Sequence, residues 1–138
     1  MIQQYLNHDE RIFKIYVMGE QIQINQKGSS PNISYETVGE DCIFFDSQIS
    51  FSKQSKFKDL LKGFKESEIE LKPISIIAKE ISEKFSFTLF GFDLIRESSS
   101  GKFYLIDLNY FPGFSGVKEF RDILHKIFVS KAQKFLKK

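Results

Sequence analysis

The chain has 138 residues, the length of one ordinary domain, with 41% hydrophobic and 28% charged residues, which exclude a disordered tail, a collagen-like fibre and a membrane bundle. Its net charge of +2 gives no field for nucleic acid, and its one cysteine, Cys42, allows no internal disulfide and suits a reducing compartment. The start MIQQYLNHDE lacks the regions of a signal peptide and no run reaches the length of a membrane span, so a cytoplasmic protein is expected.

Arg11 to Glu20, rich in β-branched and aromatic residues, and Gln21 to Lys27 predict two strands joined by a tight Gly19-Glu20 turn. In that register Lys14 lies opposite Asn25 and shares a face with Ile12 and Tyr16. A lysine inside such a strand is either on the solvent side or committed to a buried anion. Gly28 to Asp41 collects turn formers and predicts a loop, followed by a short apolar strand at Cys42–Phe45. Lys56 to Phe64 reads as a short helix.

Pro73 opens the best helix, with Ile74, Ile77, Ala78, Ile81 and Phe85 at helical spacing. Phe87–Ile95 and Lys102–Phe111 form two apolar strands around a turn at 97–102. A final helix from about Val117 to Phe135 presents Val117, Phe120, Leu124, Ile127 and Phe128 as its apolar stripe. Lysines collect at its C-terminal end, where cations complement the helix dipole.

Chemistry concentrates in the second hairpin. With the turn centred on Ser100, Asp93 and Asp107 face each other, and Asn109 shares their face. Two opposed carboxylates repel unless a cation sits between them, and Mg²⁺ accepts carboxylate and amide oxygens while leaving positions for phosphate. The same residues equally fit the wet face of a half-buried sheet. Asn109 to Val117 (NYFPGFSGV) then runs from a strand end to a helix start, where Gly113 and Gly116 permit close backbone approach and a helix N-terminus can accept an anion. Neither G-x-x-x-x-G-K-[ST] nor G-x-G-x-x-G occurs, so a nucleotide would need another fold.

Four blocks, QQYLNH at 3–8, FKIYVMGE at 13–20, LFGFDLI at 89–95 and IDLNYFPGF at 106–114, together resemble the inositol 1,3,4-trisphosphate 5/6-kinases. These are also called inositol-tetrakisphosphate 1-kinases and have the ATP-grasp fold. The resemblance implies an α+β fold, the C-terminal portion of an ATP-grasp, with a largely antiparallel sheet and helices packed on one face. It implies one C-terminal subdomain over residues 1–138, with the family's N-terminal domain and central segment lying before residue 1. The activity implied is transfer of the γ-phosphate of ATP to a hydroxyl of an inositol polyphosphate, by a monomer that binds no nucleic acid. The alternative is a truncated, inactive fragment that binds Mg-nucleotide or polyphosphate.

Residue by residue, the resemblance makes Gln3, Gln4, Tyr5, Leu6, Asn7 and His8 the hinge strand that meets adenine. Ser29 and Ser47 line the nucleotide pocket, and Lys14 reaches phosphate of both ATP and inositol phosphate. Asp93, Asp107 and Asn109 hold Mg²⁺, as two ions, while Asn109 and Gly113 also touch the inositol phosphate. Lys14, Asp107 and Asn109 are the catalytic set. Two departures stand out: Lys27-Gly28 where the family often has Arg-Pro, and Asp46 where Asn is common. A carboxylate-activating ATP-grasp ligase fits less well, because of the Asn7-His8 block and Pro112-Gly113.

Overall fold

The computed structural model describes residues 4–34, 44, 46, 48–49, 54 and 68–137. The short strand expected at Cys42–Phe45, the helix at Lys56–Phe64, and the site residues Gln3 and Ser47 lie outside the described residues, apart from Phe44, which has no regular structure. The element order is β1 (Arg11–Met18), β2 (Gln21–Gly28), α1 (Leu71–Phe85), β3 (Leu89–Arg96), β4 (Phe103–Asn109) and α2 (Phe120–Leu136). The strands form one antiparallel sheet in the order β2-β1-β3-β4. The chain divides into two compact units, one of Met1–Lys14, Asn25–Ser67 and Asp93–Ile106, the other of Ile15–Ile24, Glu68–Phe92 and Asp107–Lys138.

The first hairpin has its expected turn. Gly19 is left-handed (φ 63) and Glu20 is not, which is the Gly-X pattern of a two-residue loop. The Ser29 N–H donates to the Glu10 carbonyl at 2.7 Å, in the register that sets Lys14 opposite Asn25. The second hairpin turns differently from expectation. The Glu97 N–H donates to the Lys102 carbonyl at 2.9 Å and Gly101 is left-handed (φ 70), so a four-residue loop is closed by Glu97 and Lys102. The turn is therefore centred between Ser99 and Ser100, which shifts the expected cross-strand pairing by one residue, and the turn itself gives no support to the opposition of Asp93 and Asp107.

In the second unit, alternation along β1 divides the packing. Tyr16 and Met18 cluster with Phe114 and Ile123, joined by Phe120 and Ile127 of α2. Val17, on the other face, lines a cavity with Ser75, Ala78 and Ser82 of α1. α1 buries Ile74, Ala78 and Ile81, each large aliphatic contributing about 1.5–3 kcal/mol. It begins two residues before Pro73, whose missing N–H is harmless in a first turn, and ends at left-handed Ser86 (φ 56). Phe85 is exposed, as is Phe128 of α2, so neither belongs to the core. Ile123 is the buried residue of α2 that the expected stripe left out.

Candidate functional site

In the first unit, segment 4–10 is held by side chains. The Tyr5 hydroxyl donates to the Pro31 carbonyl at 2.7 Å, which leaves its oxygen to accept from the Ser30 hydroxyl at 2.8 Å. Burial of the phenol, partly offset by the Ser30 contact, pushes its ionisation above the ordinary tyrosine value. The Asn7 amide closes a two-way pair with Ile33, donating to its carbonyl at 2.7 Å and accepting from its N–H at 2.8 Å. Asn32 accepts the backbone N–H groups of both His8 and Asp9 at 2.9 Å. Asp9 in turn accepts from Ser98 at 2.6 Å. Residues 4–7 line a cavity of about 400 Å³ with Asn32, Glu97, Ser98 and Ser99.

His8 is buried (5% exposed). Its Nδ1 lies 2.7 Å from the Leu6 carbonyl, which can only accept, so the neutral ring carries its proton there. Nε2 is left to accept from the Ser29 hydroxyl at 3.0 Å. His8 and Ser29, both expected at a nucleotide pocket, are thereby brought together.

Lys14 and Asp93 also meet in this unit. The ammonium donates to Oδ2 at 2.6 Å, with side chains 33% and 13% exposed. The lysine is committed to a partly buried anion, the second of the two roles open to it from sequence. That anion is one of the expected metal ligands.

In the second unit, Asp107 and Asn109 are exposed at the end of β4, and the Asn109 amide donates to Asp107 Oδ2. Period-two spacing along the strand is what brings them together. The loop that follows is anchored through apolar contacts. A Cβ on Gly91 would come within 2.9 Å of the Pro112 ring and 3.2 Å of the Ile15 carbonyl, so the Pro112 ring sits where only glycine leaves room. Phe114 stacks on Phe120 at 4.4 Å and meets Phe111 edge-on at 5.5 Å. The Gln23 amide donates to the Gly116 carbonyl at 3.0 Å and accepts the Lys118 N–H at 3.3 Å. Between these anchors Gly113 has no positive φ, and a Cβ there would touch nothing within 4 Å.

The helix N-terminus expected beside this loop is not there. α2 starts at Phe120, after Glu119 in a left-handed conformation (φ 53), and no side chain caps it. Three structural residues carried no role in the sequence: Asn32, Ser98 and Gly91. Gly91 had a usable signal, a lone glycine inside an apolar strand, which marks close backbone approach. Among the described residues, no three His, Cys, Asp or Glu side chains gather as a metal site, and no helix is long and apolar enough to cross a membrane.

Residues 1–130 match the model of the inositol 1,3,4-trisphosphate 5/6-kinase ATP-grasp domain, and the chain belongs to that family. It is similar to inositol-tetrakisphosphate 1-kinase 1 of Arabidopsis thaliana, 34% identical over 136 residues that cover 93% of this chain and 42% of that protein. With inositol-tetrakisphosphate 1-kinase 2 of Oryza sativa subsp. indica it shares 30% identity over 142 aligned residues, covering 100% of this chain and 40% of the relative. It thus spans about two-fifths of the length of these relatives.

Proposed function

We propose that these residues are the C-terminal ATP-grasp subdomain of a kinase that moves the γ-phosphate of ATP to a hydroxyl of an inositol polyphosphate. The observation that carries the reading is the loop 109–116. It is anchored on both sides, yet holds at Gly113 a glycine that neither backbone strain nor packing demands. A polyanion drawn close to the main chain would account for it.

Asp93, Asp107 and Asn109 supply two carboxylates and one amide oxygen, a set that suits a hard divalent cation. A cation held there would supply positive charge to offset the charge that develops on the transferring phosphoryl group. Lys14 would contribute a point charge to phosphate, Asn109 and Gly113 contacts to the inositol phosphate, and the backbone of Gln3–His8 contacts to adenine beside Ser29 and Ser47.

Calorimetric titration of Mg-ATP into the chain, repeated with Asp107→Ala and without Mg²⁺, tests this. Saturable binding that disappears in both controls is expected. Equal binding by Asp107→Ala would remove the cation assignment, and no binding by the folded wild type would remove the nucleotide reading. Binding without transfer to any inositol phosphate would leave a Mg-nucleotide-binding module.

A further inference from the structure

Lys14 and Asp93 have been given separate tasks, phosphate for one and a divalent cation for the other, yet they occupy each other at 2.6 Å. Building on the reading above, we propose that this ion pair couples the two ligands: a divalent cation arriving at Asp93 displaces the Lys14 ammonium and so releases it toward phosphate. The cation then loads before the polyphosphate.

The argument is electrostatic. Asp93 Oδ2 is filled by a charge-assisted hydrogen bond, and its side chain is only 13% exposed, so water screens the contact weakly. A divalent ion on the same carboxylate would meet an ammonium a few ångströms away and be repelled by it. The Lys14 side chain is the more open partner, at 33%, and is long and flexible, so it is the one that can leave. While it stays, Asp93 is neutralised and the lysine offers phosphate no free charge. Once the cation takes the carboxylate, the ammonium becomes an unpaired point charge for which an incoming phosphate is the natural partner.

Two measurements test this in the full 138-residue chain. Calorimetric titration of Mn²⁺ alone compares wild type, Lys14→Met and Asp107→Ala. Lys14→Met is expected to bind Mn²⁺ about tenfold tighter, the value of one lost charged hydrogen bond, and Asp107→Ala not to bind. In the wild type, the ¹⁵N-labelled Lys14 ammonium resonance, protected while Asp93 holds it, is expected to shift or vanish as Mg²⁺ saturates the chain. This readout needs no variant to fold. If Asp107→Ala abolishes binding while Lys14→Met binds no tighter, or the ammonium signal ignores saturating Mg²⁺, the coupling is wrong and the cation site stands. If no folded chain binds the cation, the site reading falls and the coupling with it.

Discussion

Residues 4–10 lead into β1 and residues 107–116 run from the end of β4 into a loop, and the forces that hold the two stretches differ. In the first, the polar side chains are consumed: Asn7 on Ile33, Asp9 on Ser98 and Asn32, His8 on Ser29 and the Leu6 carbonyl. In the second, apolar contacts do the holding, through Pro112 over Gly91 and Phe114 against Phe120. At its start the Asn109 amide donates to Asp107, and among the described residues no other side-chain hydrogen bond engages either of these exposed residues. A polar residue already engaged in structure is costly to redeploy, because its partner is left unsatisfied. The contrast therefore gives a rule for this chain: segment 4–10 can offer a ligand mainly its backbone, and segment 107–116 its side chains.

The strongest way to break the contrast is to attack the apolar anchor. Gly91→Ala places a methyl within 2.9 Å of the Pro112 ring and 3.2 Å of a backbone carbonyl that cannot step aside. Overpacking of this kind costs about 1–3 kcal/mol, a fall of roughly 3–10 °C in Tm. Thermal unfolding followed by circular dichroism reads it, and an unchanged Tm would mean that this contact does not hold the loop. The matching attack on the polar segment is Asn32→Ala, which strips the acceptor from the His8 and Asp9 amides. We expect a loss of about 1 kcal/mol in urea unfolding, and an unchanged urea midpoint would show that the Asn32 oxygen does not hold these two amides.

The sheet was largely legible because its strands declare themselves twice, by alternation and by turn residues. Gly19 alone specifies the first turn, and the Ile74, Ala78, Ile81 spacing specifies α1. What failed were positions where local pattern competes with tertiary packing. Four residues could close the second turn in more than one register, and Gly101 decided it. The α2 stripe was placed one position away from Ile123, because Phe128 is apolar yet exposed. In the site, Asp107 and Asn109 follow from period-two spacing alone. The Lys14–Asp93 bond does not, since it links residues 79 apart across β1 and β3, and no local pattern announces which interior strands become neighbours. The role of Asn32 was hidden for the same reason, its partners lying 23 and 24 residues away.

The smallest expected effect is a pH dependence, and it sharpens the polar half of the comparison. The Ser98 hydroxyl is the largest cause that holds the Asp9 carboxyl below its usual range; burial, the next largest, pushes the other way, and Asn32, Arg11 and Arg96 add to the lowering. A carboxyl whose folded pKa is depressed contributes stability that is complete above its unfolded pKa and is lost as the pH falls through the folded value. The stability difference between wild type and Ser98→Ala should therefore be flat from neutral pH to about 5 and shrink below about 4. Asp9 is exposed, so the whole difference should stay under about 1 kcal/mol. Chemical unfolding at stepped pH measures it. A difference that persists undiminished to pH values well below the carboxylate range would mean that the Ser98 hydroxyl acts by accepting from the Asn32 amide, 3.4 Å, and not through the charge on Asp9.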